Sequence, residues 1–310
     1  MIYTLIRSKA LDKFRIMKNF ILVIDGTSYV SFKHRHCKEC IKVKHSNGGY
    51  EYRHNVVEAK FVFENGLSLS VDSEVIVDSD KKRSEVKAAE LIMRRIKRRF
   101  KNLKITVCLD GLYGNENIME LCKKFRWNYV ISLKERRLKQ IYEEYKSLKE
   151  NYYKKEHTLF EGKVYYESDI EWRSKQIGVV EYKDKKKGLK FLWISNYLLN
   201  NYTVGEIVRI GRLRWKIENE GINVEKNLGY NLTHPFSKSL KGLKRWYIIM
   251  QIAHNLCQIV EKSNLIEKIK INYFWSNYDI WIELFIELRS EIINLDEIDN
   301  WQVYIGIDTS

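Results

Sequence analysis

At 310 residues, 45% hydrophobic and 13% aromatic, the chain has enough apolar material for one large domain or two modest ones, which excludes a disordered or fibrous class. Lys and Arg number 55 against 40 Asp and Glu, a formal charge of +15. That excess favours a polyanionic partner, nucleic acid or an anionic membrane surface, although the Lys-, Ile- and Asn-rich composition of a low-G+C genome produces the same balance.

No apolar run reaches the roughly 18 to 20 residues that span a bilayer, and no signal-peptide core opens the chain. Five cysteines, at 37, 40, 108, 122 and 257, are an odd set unlike a secreted disulfide framework. A cytoplasmic protein with reduced thiols and no membrane partner is expected.

Residues 1–18 read as a short basic helix. "FILVIDGTSYV" is then a continuous apolar run ending in Asp-Gly, the pattern of a buried strand. After a polar stretch containing "HRHCKEC", the segments "YRHNVVEAKFVF" and "LSLSVDSEVIV" flank Asn65-Gly66, a strong hairpin signal. "KKRSEVKAAELIMRRIKRRF" spaces Val86, Ala89, Leu91, Ile92 and Ile96 as a helix does and carries a basic opposite face. "KITVCLDG" is a second β-branched run closed by Asp-Gly, followed by a helical "NENIMELCKKFR" and the strand "NYVISLK".

The order β-β-β-α-β-α-β predicts an α/β fold with an RNase H-like mixed five-stranded sheet flanked by helices. From 136 to 200 a charged helical stretch gives way to "KVYYESDIEW", "IGVVEYKD" and "LKFLWISN", three strand-like runs that form a β-rich insertion. Helical spacing returns in "TVGEIVRIGRLRWKIENEGINVEKN", with Thr203 as cap and Glu206 three residues on as a capping box. The organisation is a helix at 1–18, the first part of the core at 19–135, the insertion at 136–200, a helix completing the core at 201–235, and a helical C-terminal region at 236–310.

Asp25 and Asp110 both stand at the carboxyl ends of apolar strands, the edge at which open α/β sheets bind ligands. Asp-Gly also makes an ordinary turn after a strand, but Asp110 precedes a helix, which a hairpin turn does not explain. A third carboxylate from a helix would complete an oxygen-rich site of the type Mg²⁺ prefers, and two such ions about 4 Å apart clamp a phosphodiester. Spacing discriminates weakly among the acids of "RLRWKIENEGINVEKNLGY": Glu218 and Arg214 are four apart and share a face with Glu225, whereas Glu220 points elsewhere.

In chain order, "VIDGT", "CLDG" before a helix and "RWKIE" resemble the catalytic segments of DDE transposases of bacterial insertion sequences over roughly residues 8–235. The resemblance implies an RNase H-like fold, a β-strand insertion between the second Asp and the Glu, and Asp25, Asp110 and Glu218 as catalytic residues and ligands of two Mg²⁺ ions, with Mn²⁺ as substitute. It implies as partners DNA at element ends and target, a homodimer that joins two ends, and a nucleoid-associated location in the cytoplasm. The same family carries a Tyr-Arg-Glu-Lys signature. Arg214 fits its Arg, Gly211 stands at the Tyr position, and Glu225 at the Lys position with Lys226 one step later. Arg214 and Lys226 are the expected contacts to DNA phosphate.

"HRHCKEC" groups His36, Cys37 and Cys40, half of a zinc arrangement. A zinc centre, closed by His45 or His54, and a metal-free loop are both compatible with it. Basic and aromatic residues interleave in "KKFRWNYVISLKERR" and "LKGLKRWYIIM", as in a surface that tracks a phosphate backbone and also as in an amphipathic helix. Three functional readings follow: a transposase that cuts and transfers DNA strands, a nuclease of the same fold, and a non-catalytic DNA-binding remnant. The last is motivated by the 24 residues before Asp25, where the resembled family has a substantial DNA-binding region, so an N-terminal truncation is expected.

Overall fold

The computed structural model describes residues 1–35, 37–46, 48–76, 81–151, 156–159, 162–186, 188–227, 229–264, 266 and 276–290. Strand β1 (Phe20–Phe32) alternates between two cores. Phe20, Leu22 and Ile24 pack on one face of the sheet, and Ile21 and Val23 on the other. A strand buried on both faces must be apolar at every position, which is why "FILVI" shows no alternation.

β3 (Tyr50–Val62) pairs antiparallel with β1 and turns back into β4 (Ser68–Ile76). At the turn Gly66 N–H donates to Phe63 O at 3.3 Å, and Gly66 takes φ +87°, a backbone region that favours glycine. A short strand not anticipated from sequence, β2 (Ile41–Lys44), pairs with the start of β3. β5 (Ile105–Leu109) and β6 (Asn128–Ser132) run parallel to β1. The order β4-β3-β1-β5-β6 is the RNase H-like arrangement.

The sheet does not stop at five strands. β10 (Lys190–Ser195) pairs antiparallel with β6, and β9 (Lys175–Asp184), β8 (Gly162–Trp172) and β7 (Glu156–Leu159) follow it, making one ten-stranded mixed sheet. The inserted strands therefore extend the sheet, because β6 offers them a free edge.

Helices cover both faces. α2 (Lys81–Arg99) and α3 (Glu116–Phe125) bury Ala89, Ile92, Ile96, Ile118 and Cys122 in one core, and α4 (Lys139–Asn151) adds Ile141 and Tyr145. α5 (Asn201–Lys216) and α7 (Leu240–Glu261) bury Val204, Ile207, Val208, Leu243 and Tyr247 in the other.

Two local expectations are corrected. The N-terminal helix, α1, is Ile2–Arg7 and not 1–18; a 3₁₀ turn at Asp12–Phe14 and a bridge between Ile16 and Asn19 follow it. α5 is capped by Asn200, whose side chain accepts from the N–H groups of Tyr202 and Thr203, while Thr203 Oγ1 accepts from Asn200 N–H at 2.9 Å. Thr203 is thus the third residue of a capping box rather than the cap, and Glu206 pairs with Arg209 instead.

Candidate active site

β1 and β5 pair in register from Phe20 with Ile105 to Ile24 with Leu109. Asp25 and Asp110 are each the next residue, side by side where the parallel pairing ends, on strands about 4.8 Å apart. Asp110 follows the last residue of β5, but contrary to the expected strand end at Asp25-Gly26, β1 runs on to Phe32 because β3 continues to pair with it. Asp25 Oδ1 accepts from Gly26 N–H at 2.9 Å. Asp110 accepts from Leu112 N–H at 3.4 Å and so caps a 3₁₀ turn at Gly111–Tyr113.

Glu218 reaches this edge from the helix above. Arg214 Nη1 donates to Asp25 Oδ2 at 3.3 Å and to Glu218 Oε1 at 3.0 Å, so those two oxygens lie no farther apart than the two bonds laid end to end. Lys134 Nζ holds Asp110 at 2.9 Å. Lys134 follows the third parallel strand, and the rule that singles out carboxyl strand ends identifies it in the sequence as readily as the aspartates.

Burial pushes the Asp25 carboxyl up to about 6; Gly26 N–H and Arg214 oppose the rise, and Glu218 and Asp110 add to it. Burial also acts on Asp110, but Lys134 and Arg214 outweigh it and hold that carboxyl below the usual aspartate range. Three carboxylates thus meet at one edge, partly neutralised by Arg214 and Lys134. Its all-oxygen donors suit a hard divalent cation such as Mg²⁺ or Mn²⁺, and Asp25, Asp110 and Glu218 are the residues that could hold one.

The model for the family described as Transposase DDE domain matches residues 19–256. The chain belongs to this family. No curated protein matches it. Among solved structures it is similar to a piggyBac transposase synaptic complex with hairpin DNA, determined by cryo-EM, at 12% identity and a TM-score of 0.49, over 91% of this chain and 57% of that one. The chain thus spans little more than half the length of that transposase chain. No helix among the described residues is long and apolar enough to cross a membrane.

The two departures from the transposase signature have structural causes. At Gly211 a Cβ would lie 2.3 Å from Trp193 of β10, so the indole of the inserted strand fills the space above the residue where the signature has tyrosine. At the lysine position the helix changes pitch: Ile217–Ile222 is a π-helix, after which α6 (Asn223–Asn227) resumes. A π turn absorbs one residue more than an α turn. The eight steps from Glu218 to Lys226 therefore cover about the angle of seven in an unbroken α-helix, and Lys226 takes the phase at which the signature has lysine.

Glu225, contrary to the expected shared face with Glu218, turns inward and is fully buried. It accepts from Lys60 Nζ at 2.6 Å and Gln251 Nε2 at 2.9 Å, and lies 2.8 Å from His254 Nδ1. Lys60 in turn meets Glu58 at 3.0 Å. Gly221, in the π turn, leaves room for Lys60: a Cβ there would sit 2.8 Å from Lys60 Cε. Lys226 is half-buried, and burial holds its ammonium below the usual lysine range, offset in part by Glu225.

His36 lies outside the described residues. The histidine brought to Cys37 and Cys40 is His54 of β3, and among the described residues these are the only three His, Cys, Asp or Glu whose ligand atoms all lie within 4.8 Å of one another. The three carboxylates at the sheet edge are therefore set wider than a closed single-ion cage. Of the basic and aromatic stretches, the first spends its rings on packing, since Trp127 and Tyr129 are buried, while Trp246 of the second is partly exposed.

Proposed function

We propose that this chain cleaves DNA at the ends of an insertion sequence and transfers the freed 3′-hydroxyl ends to target DNA, in a reaction that requires Mg²⁺ or Mn²⁺. The observation that carries this reading is the convergence of Asp25, Asp110 and Glu218 on the carboxyl edge of parallel strands, in a chain of the transposase DDE family.

When bound, a pair of divalent ions supplies activation of the attacking oxygen and charge stabilisation at the leaving oxygen. Asp25 and Asp110 would anchor that pair, and Glu218 would complete its shell. Arg214, now paired with two carboxylates, has the planar fork that grips phosphate oxygens once DNA arrives. Lys134 balances the charge of Asp110 before then, and Lys226, at the signature phase, meets the DNA backbone. No side chain has to act as nucleophile, because water and then the 3′-hydroxyl attack. The +15 charge suits a DNA partner, two copies of the chain join two ends as a homodimer, and the work is done on the nucleoid in the cytoplasm.

The test is a joining assay with pre-cut DNA ends, taken from the sequences flanking the gene, and a plasmid target in Mg²⁺. Wild type should yield joined product. Glu218→Gln should lose at least about 100-fold in rate, since a metal contribution of several kcal/mol at 1.36 kcal/mol per tenfold is at stake. Cleavage without joining would identify a nuclease, and DNA binding with no Mg²⁺-dependent product a non-catalytic binder. Equal rates in the two proteins would remove Glu218 from the mechanism.

A further inference from the structure

We propose that Cys37, Cys40 and His54 form a Zn²⁺ site that fastens the Cys37–Cys40 turn to strand β3, separate from the carboxylates Asp25, Asp110 and Glu218 and independent of their chemistry. Cys37 Sγ lies 3.2 Å from Cys40 Sγ, and His54 Nε2 lies 3.3 Å from the first sulfur and 3.5 Å from the second. Around a tetrahedral zinc with bonds of about 2.3 Å to sulfur and about 2.0 Å to nitrogen, two sulfurs stand about 3.8 Å apart and sulfur and nitrogen about 3.5 Å. The triangle already has that size to within a few tenths of an ångström for its sulfur–nitrogen edges, and the sulfurs need only open slightly.

A disulfide would require about 2.05 Å, and both cysteines are free thiols. Two thiolates and an imidazole are the donors that select zinc over the hard cations suited to the carboxylates.

The chain is built to bring the three together. Cys40 N–H donates to Cys37 O at 3.4 Å, closing a tight turn, and Arg35 braces it by donating to Cys37 O at 3.0 Å and Lys38 O at 2.7 Å. Ile41 begins β2 opposite Arg53, which delivers Cys40 beside His54. His54 is buried, and Phe32 packs edge-on against its ring at 6.4 Å between centroids. The 33–40 segment is polar, with Cys40 its buried apolar anchor, so a metal supplies the hold that packing does not. Cys37 is half-buried, so water can reach the metal there as the fourth ligand. Binding releases the two thiol protons.

The experiment uses the full chain purified from zinc-supplemented cells without chelator, with metal measured by plasma mass spectrometry. Wild type should carry equimolar zinc, and Cys40→Ser and His54→Asn only traces. Cys37→Ser, at the half-exposed position, covers the case in which the buried variants fail to fold. Chelator should lower the unfolding midpoint of wild type, added ZnCl₂ should restore it, and Co²⁺ in place of zinc should give thiolate-to-metal charge-transfer absorption. Folded wild type with titratable thiols that takes up no zinc from an equimolar solution would overturn the proposal. So would an intact mass two hydrogens light, which reports a Cys37–Cys40 disulfide. Neither result bears on the transposase reading.

Discussion

Glu225→Lys restores the lysine of the transposase signature at its nominal position, and it is expected to destabilise the fold by about 3 to 5 kcal/mol, the cost of breaking a buried ion pair from one side. The structure supplies the reason. Glu225 is fully buried and bonded to Lys60, Gln251 and His254, so the substitution places a second ammonium against Lys60, itself fully buried. Against a total stability of about 5 to 15 kcal/mol, such a loss removes a large share of the folded population. Denaturant unfolding of wild type, Glu225→Lys and Glu225→Gln measures it. Adding Lys60→Glu to Glu225→Lys reverses the pair and should recover about 0.5 to 3 kcal/mol as coupling. A Glu225→Lys protein within about 0.5 kcal/mol of wild type, the range of ordinary surface substitutions, would refute both the buried network and the helical phase assigned to Lys226.

Burial and the nearby Glu225 push the Glu58 carboxyl up from an ordinary 4.5 to about 7. The folded state thus holds this proton more tightly, and the resulting stability is full below pH 4.5 and lost as pH rises through 7. The unfolding midpoint of wild type should fall between pH 5 and 8, and Glu58→Gln should flatten that fall. Lys226→Ala should weaken DNA binding evenly across sequences and reduce the salt slope by about 0.9, with the melting temperature unchanged, as titrations at several salt concentrations would show. Gly211→Ala forces its methyl against Trp193 and should cost about 1 to 3 kcal/mol by overpacking; trimming the indole with Trp193→Leu in the same chain should recover part of that loss in a denaturant melt.

Elements whose signal is local were legible in the sequence. The apolar runs before Asp25 and Asp110, the Asn65-Gly66 turn and three of the four inserted strands follow from runs of a few residues, whereas β7 does not, and β1 passes beyond Asp25 only because β3 pairs with it as far as Phe32. What escaped depends on partners far along the chain. β2 exists because Ile41 and Val43 meet the start of β3, and its four residues carry too little pattern to announce that. Asn200 outcompetes Thr203 as cap because the helix begins one turn earlier than its first periodic residue suggests. The π turn has no spacing signature, since counting assumes 3.6 residues per turn throughout, and the miscount sent Glu225 to the wrong face. The sequence offers His45 and His54 alike to close the cysteine pair; His54 lies 14 residues from Cys40, and the pairing of β2 with β3 decides for it.

The bond between β10 and β6 has a consequence for how such proteins can be recombined. Cutting out residues 136–200 would leave β6, the strand next to Asp110, as a bare edge able to pair with another chain. It would also leave a hole the size of an indole beneath the helix that carries Arg214 and Glu218. A graft of this insertion onto another scaffold, or its loss from this one, has to change three things together: the sheet edge, the residue at 211 and the helix lying over both. The stretch that looks most like an optional accessory in the linear sequence is a wall of the room in which the carboxylates stand.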